Sequence, residues 1–252
     1  TFDLIKTFGF TDYTLTSKNS VIPIIYYLYH KNIYRDYSTK IEFKEDRESI
    51  KKWLHIVLIK RIFGGTSDSV LSQIRRTFTD NVVEMKIKPE ITSFPVNSIF
   101  NHIRKDTSVG DEFIEEVLFT QKDNQYAFSI LSLLYPDLDY RNNNFHKDHI
   151  HSAFEFNNLE ASDKESYGWH TYNSIYNLQM LDANENMSKS NMNLLDWVEK
   201  ETNENNRTQF LNAHLIPDVD LNLNEYGNFH EKRKALLLDK MKTLLSEKTV
   251  SV

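Results

Sequence analysis

Apolar side chains recur at helical spacing through the first half of the chain. The clearest case is the segment 46–63, which begins with acidic residues and then becomes apolar along one side, as an amphipathic helix does. The apolar positions of this segment are Trp53, Leu54, Val57, Leu58 and Ile62. Comparable patterns predict helices over 20–32, 64–78, 111–121 and 125–136, the last of which ends at a proline. The pattern therefore predicts a helical domain over residues 1–136.

The pattern changes at DLDYRNNN, residues 137–144, which is rich in residues that favour turns. Beyond it the apolar runs are shorter. NLQML at 177–181 is typical of a short strand bounded by polar residues, and helices are predicted over 184–192, 191–201, 206–216 and 229–247. We therefore predict a second domain over residues 137–252.

Composition excludes several classes of protein. With 252 residues and 40% hydrophobic residues, the chain can bury a substantial core. It has no cysteine, which excludes a disulfide scaffold, a thiol nucleophile and a cysteine-ligated zinc site. The longest apolar run, 21–29, is too short to cross a bilayer and contains Pro23, so no membrane span or membrane partner is expected. The composition fits a reducing compartment, and we expect a cytoplasmic protein.

The net charge of −6 argues weakly against a general nucleic-acid binder. Basic patches such as QIRRTF in the first half and EKRK near the end make the charge uneven along the chain. The chain begins at Thr1, directly in a structured-looking segment, and this suggests a piece of a longer protein.

Residues 145–152, FHKDHIHS, place three of the nine histidines beside an aspartate and a lysine. Such groups are poor core builders because each must be paired when buried. They suit metal binding and acid–base chemistry. Further along, Asn177 opens the predicted strand and Asn186 lies in the first turn of the next helix, nine residues on and followed by Lys189.

This order and spacing resemble the HNH endonucleases, which fold as a two-stranded ribbon and a helix around one metal ion. The resemblance covers roughly residues 137–200 and depends on DHI, NLQML and ENMSK at their mutual intervals. FGGTSDSVLSQIRRTF, LSLLYPDLDYRNNNFHKDHI and the stretch 172–199 extend it to the C-terminal part of the DUF262/DUF1524 proteins. That group includes GmrSD-type restriction enzymes and SspE-type phage-defence nucleases.

The resemblance implies a mainly α chain with a small ββα-metal element, acting as a metal-dependent DNA endonuclease in restriction or phage defence. Its expected partners are DNA and an N-terminal nucleotide-hydrolysing region, of which no motif is found here. Asp148 and Asn186 would hold a divalent metal, Mg²⁺ or Mn²⁺, because hard cations take oxygen ligands. His149 would be the general base, and Asn177 would accept from its other ring nitrogen.

Three more residues near the motif receive expected roles. Lys189 would share the helix face of Asn186 and contact a phosphate. His146 lies on the Asp148 side of the strand and would support the metal or a phosphate. His151 lies on the His149 side, where the pattern is equally compatible with a supporting role and with exposure to solvent. The sequence departs from the family pattern at Ser152, where a proline is usual, and at Asn186, where many HNH enzymes have histidine.

Two alternatives stay open. Arg141 and His146 have the Arg-x4-His spacing of the metal-free HEPN ribonucleases, but that site lies on a helix, and three consecutive asparagines favour helix poorly. Alternatively, the chain is a non-catalytic module that senses DNA or a partner, with a degenerate HNH scaffold. The acidic net charge favours this second alternative, and the intact Asp-His, Asn and Asn set argues against it.

Overall fold

The structure is a computed structural model that describes residues 1–33, 36–80 and 86–245. The chain is mainly helical, as predicted, and the described residues contain one small sheet, a two-stranded antiparallel ribbon. The predicted helix over 229–247 is present as far as residue 245, and its last two positions lie outside the described residues. No helix in this part of the chain combines the length and apolarity needed to cross a membrane.

The chain divides into two compact units. The first comprises Thr1–Ser108 with Asp139–Arg141, and the second comprises Val109–Leu138 with Asn142–Val252. The described residues of the first unit form five α-helices: α1 (Phe2–Thr7), α2 (Ile22–Lys31), α3 (Lys44–Ile59), α4 (Ser67–Phe78) and α5 (Val96–His102). The fully buried Trp53 of α3 packs against Phe94, with ring centroids 5.2 Å apart. The predicted apolar stripe of α3 therefore faces the core of this unit.

Up to residue 245, the second unit contains seven α-helices and the ribbon. In chain order its elements are α6 (Asp111–Leu118), α7 (Ala127–Leu134), β1 (Phe145–His149), α8 (Ala161–Tyr172), β2 (Leu178–Asp182), α9 (Ala183–Lys189), α10 (Leu194–Glu201), α11 (Arg207–Ala213) and α12 (Tyr226–Leu245). The division differs from the predicted boundary at residue 136, because α6 and α7 pack against α12, and α7 also packs against β2. Both helices thus belong to the second unit, and α7 lies against the ribbon.

The ribbon has a simple register. Phe145 pairs with Asp182, and His149 pairs with Leu178, so Asp148 lies directly opposite Gln179. The helix α9 follows β2 without a loop and packs on both strands. Asp182 caps it, accepting a hydrogen bond from the backbone N–H of Asn184. This order of strand, long connection, strand and helix is the one that the motif spacing predicts.

A buried guanidinium anchors the start of β2. The side chain of Arg233 in α12 is fully buried and donates to the carbonyl oxygens of Tyr176 at 2.8 Å, Leu178 at 2.7 Å, His214 at 3.3 Å and Leu215. A buried charge is tolerated only when its donors are satisfied. The fork of Arg233 therefore joins α12 to the strand that opposes Asp148.

Candidate functional site

Asp148 is the centre of a hydrogen-bond network at the end of the ribbon. Its Oδ2 accepts from Lys189 Nζ at 2.9 Å and from Gln179 Nε2 at 3.2 Å. Gln179 is itself oriented by His214, whose Nδ1 lies 2.9 Å from Gln179 Oε1. Both bonds to the carboxylate use Oδ2, so Oδ1 is left as an oxygen donor at a side chain that is 15% exposed. Sequence reasoning missed Gln179, although its place opposite Asp148 follows from the strand register.

Lys189 has a different environment from the predicted one. It was expected on an accessible helix face as a phosphate contact, but it is 1% exposed. Its ammonium bonds Asp148, donates to the carbonyl of His149 at 2.6 Å and lies 5.3 Å from the centroid of the Trp197 ring. Because α9 ends against both strands, its last residue points into the ribbon. Lys189 therefore positions the Asp148–His149 step of the strand.

Asn186 and His146 contact each other on the outer side of the same face. Asn186 Nδ2 donates to His146 Nδ1 at 3.2 Å. That bond turns the amide so that Oδ1 stays available. His146 and Asp148 are two residues apart in β1 and therefore share one face, as predicted. The contact fits the expected supporting role of His146.

The imidazole of His149 lies on the opposite face of the ribbon and is held at both nitrogens. Nε2 donates to Asn173 Oδ1 at 2.9 Å, and Nδ1 accepts from Lys122 Nζ at 3.3 Å. Burial, and next the charge of Lys122, lower the pKa of His149 to about 4. The ring is therefore neutral near neutral pH, with its lone pair on Nδ1.

Asn177 does not make the predicted contact with the His149 ring. It is fully buried, its Oδ1 accepts from the backbone N–H of His151 at 2.9 Å, and its Nδ2 donates to the carbonyls of His151 at 3.0 Å and Tyr172 at 3.1 Å. Asn177 lies in a short 3-10 turn before β2, level with the residues just after β1. Its three bonds fix the backbone just after the end of β1. The residue that orients the imidazole is Asn173, at the end of α8.

Asn173 and Lys122 reach His149 through a pairing between distant segments. Lys122 N–H donates to the carbonyl of Asn173 at 2.9 Å, Ile175 N–H donates to the carbonyl of Thr120 at 3.0 Å, and Gln121 and Ser174 form an isolated β-bridge. No motif in the sequence announces this pairing. Neither residue could therefore be identified from spacing alone.

His151 is completely buried, which excludes the exposed position that the sequence left open for it. Its ring meets Phe229 and Tyr226 edge to face, with centroids 4.6 and 5.4 Å away. Glu155 lies 4.0 Å from Nδ1. Burial is the main cause that lowers the pKa of His151 to about 3. The ring is thus a neutral part of the core.

The HEPN-like alternative requires Arg141 and His146 on one helix. Residues 141–144 form no helix, and His146 lies in β1. This arrangement does not provide the helical Arg-x4-His site.

The donor set fits a hard divalent cation in one way. Within residues 1–33, 36–80 and 86–245, no three His, Cys, Asp or Glu side chains come together as a metal cluster. The remaining candidates are a carboxylate oxygen of Asp148 and the amide oxygen of Asn186, neither of which is used in the bonds described above. Mg²⁺ commonly takes one or two protein oxygens and completes its shell with water and phosphate. Asp148 and Asn186 are compatible with such an ion.

Comparisons with models of known protein families and with curated proteins give no match to the chain.

Proposed function

We propose that the second unit is a metal-dependent HNH-type endonuclease that hydrolyses phosphodiester bonds in DNA. The observation that supports this best is a two-stranded ribbon with a helix directly after it, in the predicted order. Asp148, the backbone of His149 and Lys189 are in contact there, and the His149 ring lies on the other face of the ribbon. A role in restriction or phage defence is part of the proposal and depends only on the resemblance of sequence.

Each side chain has a distinct part in the proposed reaction. Asp148 and Asn186 would hold the divalent ion, Mg²⁺ or Mn²⁺, and the bound ion supplies neutralisation of phosphate and leaving-group charge. His149 takes the proton of the attacking water at Nδ1, because Asn173 keeps the other nitrogen protonated. Lys122 occupies that lone pair here and must give way when water approaches it.

The positions of Asp148 and His149 depend on buried neighbours. Lys189 bonds the side chain of one and the carbonyl of the other, and Gln179 fixes the carboxylate from the opposite strand. Catalysis needs such preorganisation, because small displacements of reacting groups lower rates strongly. The proposal therefore assigns Lys189 and Gln179 as positioning residues.

Metal binding tests the proposed ligands directly. Calorimetric titration with Mn²⁺ is expected to show one site in the wild-type chain and its loss in Asp148→Ala and in Asn186→Ala. His102→Ala is the matched control, since His102 is an exposed residue of the first unit. Equal Mn²⁺ binding by all four proteins would show that these residues hold no metal.

One observation favours the non-catalytic alternative. Lysine ammonium groups contact both Asp148 and His149, as a degenerate site would allow. A sensing module would bind DNA without cleaving it, whether or not Mg²⁺ is present. Metal binding that disappears in Asp148→Ala, together with metal-dependent cleavage, would exclude this alternative.

A further inference from the structure

Two lysines converge beside the His149 ring. Lys147 and His149 are two residues apart in β1 and therefore share a face. Lys147 Nζ donates to the carbonyl of Lys122, and Lys122 Nζ lies 3.3 Å from His149 Nδ1. Both side chains are only partly exposed. Lys147 Nζ therefore lies at the Lys122 backbone and Lys122 Nζ at the His149 ring, on the same side of the ribbon.

Neither of these ammonium groups has a carboxylate partner. Over the described part of the chain, no ion pair within 4 Å involves Lys122 or Lys147. Partial burial lowers the pKa of Lys147, and among the nearby charges Asp123 raises this pKa more than Lys122 lowers it. The two cations repel each other, and an anion between them would relieve that repulsion. Phosphate is the anion that a chain of this proposed function meets.

An exposed indole borders the same histidine. The Trp169 ring centroid lies 6.1 Å from that of His149, and the ring is nearly parallel to Tyr172, at an interplanar angle of 22°. Trp169 is 42% exposed, whereas Trp53 and Trp197, the other two tryptophans of the chain, are 0% and 2% exposed. Large aromatic side chains usually bury most of their surface, so this exposure beside a polar site is informative.

A backbone kink sets the position of Trp169. Gly168 interrupts α8 with φ 48° and ψ 172°, a left-handed conformation that glycine adopts without steric cost. The last residues of α8 therefore follow a new direction, in which Phe156 supports Trp169 edge-on with centroids 5.1 Å apart. The indole is fixed by packing and still presents surface to solvent.

We infer that Lys122, Lys147 and Trp169 form a binding platform for an unpaired segment of DNA, with a phosphate on the two lysines and an adjacent base stacked on the indole. The inference deepens the proposed function and rests on it for the choice of DNA. Stacking of a base on an aromatic ring needs an open base face, which a paired duplex does not offer away from its ends. The net charge of −6 fits a local contact of this kind better than a broad basic surface.

Intrinsic fluorescence tests the platform without any variant. In EDTA, titration with an oligothymidylate of about twelve nucleotides, near the upper end of single-strand site sizes, is expected to quench tryptophan emission. Because the other two tryptophans are buried, that quenching reports on Trp169. A hairpin duplex of equal charge is expected to quench little and to bind about tenfold more weakly, which is the scale of one stacked base.

Variants then assign the contributions. Trp169→Ala is expected to weaken oligothymidylate binding by about tenfold, and Trp169→Phe by much less, because a phenyl ring still stacks. Tyr13→Ala, which removes an aromatic side chain that is 98% exposed in the first unit, is the control and should bind as the wild type does. Lys122→Met and Lys147→Met should each reduce the slope of log K against log salt by about 0.7.

Three results would overturn the inference: no quenching by the oligothymidylate, equal affinity of Trp169→Ala and Tyr13→Ala, or tighter binding of oligouridylate than of oligothymidylate. Failure of the proposed function is distinguishable, because binding in EDTA requires no cleavage. A chain that binds single strands through Trp169 and never cuts DNA would refute the nuclease and leave the platform standing. A chain that cuts DNA but has no preference for single strands would refute the platform and leave the nuclease standing.

Discussion

The ammonium of Lys189 lies 2.9 Å from Oδ2 of Asp148, at a position where the lysine is 1% exposed. A buried lysine next to an expected metal ligand limits that carboxylate to its other oxygen. It also fixes the carboxylate direction relative to the strand, because the same ammonium bonds the carbonyl of His149. The site is therefore organised by a buried cation before any ligand arrives.

Lys189→Met is expected to destabilise the chain by about 3–5 kcal/mol, because removal of one partner leaves a buried charge unpaired. Urea unfolding near neutral pH measures the free energy of unfolding. Lys200→Met is the control, since Lys200 is exposed and bonds Ser188 at the surface. If both variants unfolded at the same urea concentration, the ion pair would have no structural importance.

Two asparagines four residues apart should fail in different ways. Asn177→Ala leaves three buried backbone groups without partners, and each is expected to cost about 1–3 kcal/mol. Asn173→Ala removes the bond that orients the His149 ring. It should lower the cleavage rate strongly and the free energy of unfolding only slightly. Melting curves beside cleavage rates separate the two effects. The assignment would be wrong if Asn173→Ala melted like Asn177→Ala while keeping its activity.

Acid is expected to destabilise the protein over a defined pH range. Burial lowers the pKa of His55, His149 and His230 to about 4 and that of His151 to about 3, from an unfolded value of 6.5. Between these values the unfolded chain binds protons that the folded chain does not, so stability falls as pH drops from about 6.5 towards 4.

Each such histidine contributes up to about 1.4 kcal/mol per pH unit within that range. Urea midpoints at about pH 7, 6 and 5 measure how the free energy of unfolding changes with pH. His151→Leu should reduce that slope by the contribution of one histidine. A midpoint that stays constant down to about pH 5 would contradict the buried, neutral state of these rings.

Arg233→Lys is expected to destabilise the second unit strongly, although the charge is kept. A single ammonium cannot reproduce the fork that reaches four carbonyl oxygens around β2 and residues 214–215. Thermal unfolding of Arg233→Lys against Arg207→Lys provides the measurement, since Arg207 is partly exposed and makes a long ion pair with exposed Asp218. Equal melting temperatures would show that the fork is dispensable.

The sequence predicts most of the helices because their apolar periodicity is a local property, but α1, α5 and α8 were not predicted. The family resemblance placed Asp148, His149 and Asn186 at the ribbon, but the contact that it implied between Asn177 and the His149 ring is not made. Lys122 and Asn173 could not be predicted, because the pairing of residues 120–122 with 173–175 is non-local and has no motif. The burial of Lys189 was missed for a related reason. Helix periodicity does not show that Trp197 and Asp148, from other elements, contact its ammonium group.

The location of the unit boundary was missed because apolar helices do not identify the surface that they cover. The apolar run in α7 predicts burial, but the sequence could not show that α7 packs on β2 and α12. Arg233 similarly reads as one cation among several on a basic helix. Its satisfied donors become evident only when the carbonyls of β2 and residues 214–215 are placed around it.

Cleavage of supercoiled plasmid most directly tests the central claim, that Asp148 and His149 form a metal-dependent nuclease site. Wild-type chain, His149→Ala and the surface control His102→Ala would each be incubated with Mg²⁺, Mn²⁺ or EDTA, and the products separated on a gel. We expect nicked or linear plasmid with wild type and His102→Ala in either metal, and intact plasmid with EDTA or His149→Ala. Cleavage that persists in EDTA or in His149→Ala, or intact plasmid in every lane, would contradict that claim.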